Sequence, residues 1–189
     1  AYDISDDALA AARERFAHLA ATYRAEVPGA AEDGKADLAL MRLTLSTDLD
    51  AAAQADLVIE AVPEVLDLKR DVYTRLGELA PAKTIFATNS STLLPSDMVE
   101  FTGRPDRFLA LHFANRVWKF NTAEVMGTTQ TDPAVFATVE EFATEIGMVP
   151  IAIHKEKAGY VRQSSLIHAL SNLSGEKLSR SEATELLSQ

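Results

Sequence analysis

The chain has 189 residues, of which 47% are apolar and 24% are charged, a composition typical of globular proteins rather than disordered or fibrous ones. Its 28 acidic and 18 basic residues give a formal net charge of −10, which argues against binding along a nucleic-acid backbone. No apolar run reaches the roughly 18–20 residues that a membrane helix needs, and zero cysteines exclude disulfides and thiolate metal sites. We therefore expect a soluble, cytoplasmic protein without a nucleic-acid or membrane partner.

The first predicted element is a helix at residues 5–25. Ser5 is a good N-cap, and the two aspartates that follow place negative charge in the first turn, where the helix dipole favours it. Alanine-rich sequence continues to Pro28-Gly29, which ends the helix. Asp3 therefore stands just before a helix, at the end of an expected strand whose body is not among the 189 residues.

Short apolar runs then alternate with helical periods along the chain. Strands are predicted at residues 42–46, 57–60, 84–88, 107–113, 122–125 and 148–153. Helices are predicted at residues 48–54, 67–79, 95–99 and 133–146. Such alternation is typical of βαβ units, and it predicts an α/β fold with a mainly parallel sheet and helices on both faces.

The sequence changes character near its end. Helices are predicted at residues 161–173 and 181–187, with Ser174-Gly175 separating them. Because this tail is too short for a domain of its own, we expect residues 158–189 to be the start of a helical C-terminal domain.

Two titratable residues stand in apolar runs that predict neighbouring strands. His112 lies in Leu111-His-Phe-Ala-Asn115, and Glu124 follows in Thr122-Ala-Glu-Val125. A histidine that exchanges protons near neutral pH and is held by a carboxylate is a common acid/base unit. From the residues alone, a structural histidine and a surface carboxylate stay open as the alternative. No two of the four histidines have a metal-ligand spacing with a third ligand nearby.

Further segments share one family pattern and occur in that family's order. They are Tyr2-Asp-Ile-Ser5, Ala55-Asp-Leu-Val-Ile-Glu-Ala-Val-Pro-Glu64, Leu68-Lys69, Ala87-Thr-Asn-Ser-Ser-Thr-Leu93, Arg104-Pro-Asp-Arg-Phe108, Leu111-His-Phe-Ala-Asn115, Ala123-Glu-Val125 and Lys157-Ala-Gly-Tyr160. Together they resemble the 3-hydroxyacyl-CoA dehydrogenases, the NAD-dependent enzymes of fatty-acid and butyrate metabolism. The sequence looks most similar to the short bacterial 3-hydroxybutyryl-CoA dehydrogenases of that family.

The resemblance implies a Rossmann-like, doubly wound domain that binds NAD and spans residues 1–157. It implies that His112 takes the proton of the substrate's 3-hydroxyl as a general base, and that Glu124 orients the imidazole. Ser91 and Asn115 match family positions that hydrogen-bond the reacting oxygens. The substrate is expected to be a short 3-hydroxyacyl-CoA, and the full-length protein is expected to be a homodimer.

The resemblance also implies a set of cofactor contacts. Asp3 matches the acidic residue that binds the adenosine ribose hydroxyls, and its charge favours NAD over NADP. Glu64 and Lys69 match positions that line the nicotinamide half of the cofactor site. These three residues are the predicted NAD-binding side chains.

The chain departs from the family pattern at two points. No G-x-G-x-x-G occurs, and the first glycine is Gly29, so the strand and Gly-rich loop that carry the pyrophosphate are not in these residues. A family asparagine is replaced by Gln163, preceded by the charged Arg162. We expect the 189 residues to be part of a longer enzyme. Two alternatives stay open: a non-catalytic scaffold or binding protein on a dehydrogenase fold, and a dehydrogenase of hydroxy acids that carry no CoA.

Overall fold

The computed structural model describes residues 1–154 and residue 156. The helices predicted at 161–173 and 181–187, the domain expected at 158–189 and the Gln163 substitution lie outside the described residues. The chain divides into two compact units, one formed by Ala1–Val58 with Glu78–Thr84 and the other by residues 59–77 with those from 85 onward. Within the described part of the chain, no helix combines the length and apolar character that crossing a bilayer requires.

The first unit is mainly helical. Helix α1 covers Asp6–Glu26, and its N-cap Ser5 accepts the backbone N–H of Ala8 at 3.3 Å, as the sequence predicts. Helix α2 covers Lys35–Arg42, and helix α3 covers Leu49–Ala53. Helices α1 and α2 pack against each other.

The strand predicted at residues 42–46 is wrong. Helix α2 ends at Arg42, and the only strand-like pairing described in this stretch is a single parallel bridge between Ser46 and Tyr2. The run Lys-Ala-Asp-Leu-Ala-Leu-Met-Arg consists largely of strong helix formers, and it follows Gly34 in a left-handed turn (φ 62°). Local helix propensity thus explains helix α2, which includes Arg42, the first residue of the predicted strand.

Five strands form one sheet in the order β1-β2-β3-β4-β5. Their bounds are Leu57–Glu60, Ile85–Thr88, Phe108–Phe113, Thr122–Gly127 and Val149–Ile153. Strands β2 and β3 are parallel, as are β4 and β5, whereas β3 and β4 are antiparallel. Helix α4 (Leu66–Leu79) follows β1, and helix α5 (Pro133–Glu145) follows β4. The prediction of a mainly parallel, Rossmann-like α/β fold is confirmed.

The core of the second unit lies along strands β2 and β3. All four residues of β2 and the first four of β3 are buried, which is typical of strands covered on both faces. Tyr73 of α4 is fully buried, and its ring meets Phe108 edge-on with centroids 5.2 Å apart. Strand β3, which carries His112, and strand β2, which leads to Ser91, therefore form a well-packed pair.

The helix predicted at residues 95–99 is two short 3-10 turns instead, at Pro95–Asp97 and Val99–Thr102. Asp97 accepts the backbone N–H of Leu94, and Thr102 donates its hydroxyl to the carbonyl of Val99. These side-chain bonds close tight local turns in place of a continuous α-helix.

Gly77 leads to a stability prediction. A Cβ at this position in α4 would lie 2.8 Å from the backbone carbonyl oxygen of Thr102. We expect Gly77→Ala to lower the free energy of unfolding by about 1–3 kcal/mol, because overpacking outweighs the gain of roughly 1 kcal/mol in helix propensity. Urea unfolding measures this, with Thr74→Ala at an exposed position of the same helix as the control. An unchanged or increased stability of Gly77→Ala would contradict the close packing.

Candidate active site

The antiparallel register of β3 and β4 places His112 directly opposite Glu124. The imidazole Nδ1 lies 2.8 Å from the Glu124 Oε2, and the two side chains are 21% and 13% exposed. This distance makes a charge-assisted hydrogen bond whenever the ring is protonated on both nitrogens. The pairing that the sequence predicted on neighbouring strands is present.

The second ring nitrogen of His112 faces Ser91. The Nε2 atom lies 3.2 Å from the Ser91 Oγ, and Ser91 is exposed three residues beyond the end of β2. When Nδ1–H donates to Glu124, the lone pair of Nε2 is left to accept a proton. Since β2 and β3 are parallel, His112 and Ser91 meet at the carboxyl edge of these strands, where α/β proteins place their ligand sites.

Asn89 fixes the chain that carries Ser91. Its side-chain Oδ1 accepts the backbone N–H of Phe113 at 3.0 Å, and its own N–H donates to the Glu60 carbonyl at 2.8 Å. This role could not be predicted from the sequence, because nothing in the residue pattern shows which strand end an asparagine will reach. Asn89 ties the ends of β1 and β3 to the segment between β2 and Ser91.

Asn115, the other predicted oxygen-binding residue, is exposed at the end of β3. The β3–β4 pairing continues one residue past Phe113, because the N–H of Ala114 donates to the Thr122 carbonyl at 3.2 Å. Asn115 is the next residue, so it stands at the same strand end as His112. Its predicted bond to a reacting oxygen stays a prediction.

A buried ion pair joins the end of strand β1 to helix α4. Lys69 Nζ is 2.7 Å from the Glu60 Oε1, and the two side chains are 0% and 1% exposed. The Glu60 carboxylate also accepts the Val62 N–H at 2.7 Å, the Tyr73 hydroxyl at 3.2 Å and the Thr88 hydroxyl at 2.9 Å. Four donors satisfy one buried carboxylate, as burial of a charge requires.

Glu60 was not among the predicted site residues, although it bonds to Lys69. It ends the apolar run Leu57-Val-Ile-Glu60, where a carboxylate is out of place on a buried strand. Lys69 follows nine residues later. A carboxylate in an apolar run, with a lysine at this distance, could have indicated a buried ion pair. The signal is weak, because a carboxylate at a strand end is usually solvated.

Glu64 is the second carboxylate beside the Lys69 ammonium. It accepts the Ser90 hydroxyl at 2.6 Å and the Thr92 hydroxyl at 2.8 Å, and its Oε1 lies 3.4 Å from Lys69 Nζ. Partial burial raises the pKa of Glu64, but the two hydroxyls and the adjacent ammonium outweigh it and lower the pKa to about 2. Glu64 is therefore an anion at neutral pH.

Comparison with known proteins identifies a family. Residues 1–157 match the family described as 3-hydroxyacyl-CoA dehydrogenase, NAD binding domain. The chain belongs to this family. NAD is the cofactor of the domain, in agreement with the expectation from the sequence.

Individual relatives of this dehydrogenase domain carry different names. The chain is 36% identical over 127 residues to the mitochondrial hydroxyacyl-coenzyme A dehydrogenase of Rattus norvegicus, covering 66% of the chain and 40% of that protein. It is 35% identical over 141 residues to the L-carnitine dehydrogenase of Mesorhizobium japonicum, covering 74% and 37%. The chain thus spans about two fifths of the length of these curated relatives.

A solved diketoreductase, described as acting on dicarbonyl compounds, has the same fold as this dehydrogenase domain. The two superpose with a TM-score of 0.83 at 67% sequence identity, over 92% of this chain and 61% of that one. The chain covers less than two thirds of the diketoreductase as well.

The residues predicted to bind NAD differ in how they fit that role. Asp3 is half-buried directly after the Tyr2–Ser46 bridge, and its Oδ1 accepts the Ser5 N–H at 3.1 Å. A carboxylate offers about four acceptor positions, so capacity for ribose hydroxyls is left. This fits the predicted role, since the carboxylate stands between a strand-like bridge and a helix N-terminus.

Lys69 fits a direct contact with NAD less well. Its ammonium is fully buried and has the Glu60 and Glu64 carboxylates and the Val62 carbonyl, at 3.2 Å, as three protein acceptors for its three protons. Glu64 is exposed and anionic, and it remains a candidate for a contact on the nicotinamide side.

Glu64 gives a pH prediction for the dehydrogenase domain. Its depressed pKa contributes stability that is fully present above its ordinary pKa of 4.5 and is lost as the pH falls towards about 2. We expect carboxyl ¹³C NMR to show Glu64 still ionised at pH 4, and Ser90→Ala to raise its pKa. Asp56, whose partner is Lys83, is the control carboxyl, and its pKa should not respond to Ser90→Ala. A Glu64 carboxyl half-protonated near pH 4.5 would contradict the hydrogen bonds.

Proposed function

We propose that this chain carries the proton-transfer site of an NAD-dependent dehydrogenase that oxidises the 3-hydroxyl of a short 3-hydroxyacyl-CoA to a 3-keto group. The observation that carries the proposal is the ordered set Glu124–His112–Ser91, with bonds of 2.8 Å and 3.2 Å at the carboxyl edge of the sheet. Membership of the 3-hydroxyacyl-CoA dehydrogenase family supports it.

The Nε2 atom of His112 acts as the base in this proposal. Its lone pair takes the proton from the 3-hydroxyl, and the oxygen–carbon bond becomes the ketone double bond while the C3 hydrogen leaves with its electron pair. Acceptance of that hydride is the chemistry that NAD supplies when it is bound. In the reverse direction the imidazolium returns the proton to the forming alcohol oxygen.

Glu124 and Ser91 prepare His112 for this step. The carboxylate of Glu124 fixes the ring with Nδ1 as donor, and it stabilises the imidazolium that forms when Nε2 gains a proton. Because Glu124 is only 13% exposed, water screens this interaction weakly. Ser91 and Asn115 are proposed to hold the reacting oxygen within reach of Nε2.

The wider architecture follows from the same proposal. Residues 1–157 would form the NAD-binding part, with Asp3 on the adenosine ribose and Glu64 towards the nicotinamide, and residues 158–189 would begin a helical domain. A homodimer working in the cytoplasm on fatty-acid metabolites fits this family assignment.

A second candidate substrate class has its own support. The diketoreductase at 67% identity is described as acting on dicarbonyl compounds, and the L-carnitine dehydrogenase relative is named for a hydroxy acid that carries no CoA. The same Glu124–His112–Ser91 set serves both classes, because the proton transfer at the hydroxyl is identical. The two candidates differ only in whether the reacting carbon belongs to a CoA thioester or to a compound without CoA.

Replacement of His112 tests the proton transfer. We expect His112→Gln in the full-length protein to lower kcat by about 10²–10⁴-fold with little change in the Kd for NAD, because glutamine cannot take the proton. Steady-state kinetics with acetoacetyl-CoA and NADH measure the effect. His18→Gln, at an exposed position of α1, is the matched control and should leave kcat unchanged. Turnover near the wild-type rate in His112→Gln would remove the proposal.

A comparison of substrates tests whether the substrate carries CoA. We expect kcat/KM for acetoacetyl-CoA to exceed that for acetylacetone, a dicarbonyl without CoA, and oxidation of 3-hydroxybutyryl-CoA to exceed that of L-carnitine. Parallel assays of one preparation at fixed cofactor concentration give the ratio. The opposite ranking would contradict the CoA substrate and show that the substrates belong to the class without CoA.

A further inference from the structure

Arg116 has an unusual backbone conformation. Its φ is 60°, and among the residues that the structure describes it is the only one other than glycine with a positive φ. The left-handed region brings the Cβ of an L-residue close to the following carbonyl oxygen, so glycine is the residue expected there. Because strained residues of this kind cluster at functional sites, the presence of an arginine here calls for an explanation.

The turn that follows Arg116 explains its backbone but not its side chain. The Arg116 carbonyl accepts the N–H of Lys119 at 2.7 Å and the N–H of Phe120 at 3.0 Å. Both bonds use main-chain atoms, so a glycine at this position could form them as well. They account for the left-handed conformation and leave the choice of arginine unexplained.

The loop between β3 and β4, which contains this turn, is anchored at both ends. At its base the Ala114 N–H donates to the Thr122 carbonyl at 3.2 Å. Near its end the Asn121 carbonyl accepts the Val149 N–H at 2.6 Å, and the Asn121 side chain donates to the Gly147 carbonyl at 3.1 Å. These bonds fix the loop to strands β3, β4 and β5.

The same loop stands at the edge of the sheet that carries the candidate active site. His112 precedes Arg116 by four residues, and four residues of chain span at most about 13–14 Å. Asn115, proposed above to hold the reacting oxygen, is the direct neighbour of Arg116. Since Arg116 is exposed, its guanidinium is accessible to a molecule that enters this edge of the sheet.

The charge of the loop differs from that of the whole chain. Residues 113–123 contain Arg116 and Lys119 and no carboxylate, whereas the chain has a net charge of −10. Arg24 and Arg70 form ion pairs with carboxylates at 2.6 and 2.9 Å, but Arg116 forms none with the residues that the structure describes. A guanidinium presents a planar fork of donors, which binds a carboxylate or phosphate through two parallel hydrogen bonds.

We propose that Arg116 determines substrate specificity by binding an anionic oxygen group of the substrate, either a phosphate of CoA or the carboxylate of an acid without CoA. The inference rests on the function proposed above, in which His112 takes the proton at the same edge of the sheet. A neutral dicarbonyl compound has no such group, and its turnover should not depend on Arg116.

Replacement of Arg116 by glycine tests this role. Arg116→Gly in the full-length protein removes the guanidinium and suits the left-handed conformation. We expect KM for the anionic substrate to rise about 10–100-fold with kcat little changed, because the lost contact is made equally in the ground state and the transition state. The kcat/KM for acetylacetone, which is neutral, should stay unchanged. Arg15→Gln, which removes one positive charge at an exposed position of α1, is the control and should leave every constant in place.

Two anionic substrates identify the group that Arg116 binds. A raised KM for acetoacetate indicates the carboxylate, and a raised KM for acetoacetyl-CoA alone indicates a phosphate of CoA. An unchanged KM for both, or an equal loss with acetylacetone, would overturn the proposal. A raised Kd for NADH with an unchanged KM for both substrates would place Arg116 at the cofactor instead and would also overturn it.

Thermal unfolding separates substrate binding from a structural role. Because glycine relieves the left-handed conformation, we expect Arg116→Gly to unfold at the same Tm as the wild-type protein or at a higher one. A lowered Tm together with an unchanged KM would show that the arginine serves the fold, and it would overturn the proposal.

A binding measurement distinguishes this proposal from the proposed function. Isothermal titration of CoA and of acetoacetate into the full-length protein saturated with NAD gives both Kd values without turnover. A Kd weakened about 10–100-fold by Arg116→Gly, in a protein that oxidises no hydroxyacyl substrate, would reject the proposed function and leave the anion recognition intact. Unchanged Kd values in an active dehydrogenase would reject the role of Arg116 and leave the function intact.

Discussion

The antiparallel pairing of β3 with β4 is the constraint on which the site depends. Because side chains alternate along a strand, a shift of one residue in this register would turn either His112 or Glu124 to the opposite face of the sheet. The observed register sets the two opposite each other, with Nδ1 and Oε2 2.8 Å apart. Leu109, Leu111 and Val125 beside the pair are fully buried, so the pair stands on a packed part of the sheet.

A second polar assembly lies next to the segment that carries Ser91. The buried pair of Lys69 and Glu60 underlies the segment that carries Ser91, and Glu64 connects them. Buried ion pairs contribute little net stability, because desolvation offsets their attraction.

Much of the fold could be predicted because apolar runs mark buried strands. The stretches Leu57–Glu60 and Ile85–Thr88 are of this kind, and the pair His112 and Glu124 could be predicted from its place in two such runs. Helix Lys35–Arg42 was missed: no element was predicted before Arg42 in this stretch, although its residues are largely strong helix formers. The roles of Glu60 and Asn89 depend on contacts between residues far apart in sequence, which no local pattern contains. The resemblance placed Lys69 at the cofactor, whereas its burial only became visible in the packed structure.

The most direct test of the central claim is a double-mutant cycle of His112 and Glu124, measured as kcat/KM for oxidation of 3-hydroxybutyryl-CoA by the full-length protein. Because Glu124 acts through the imidazole, the account predicts that Glu124→Gln lowers kcat/KM in the wild-type background and has almost no further effect in the His112→Gln background. Effects of the two substitutions that multiply fully would contradict the account.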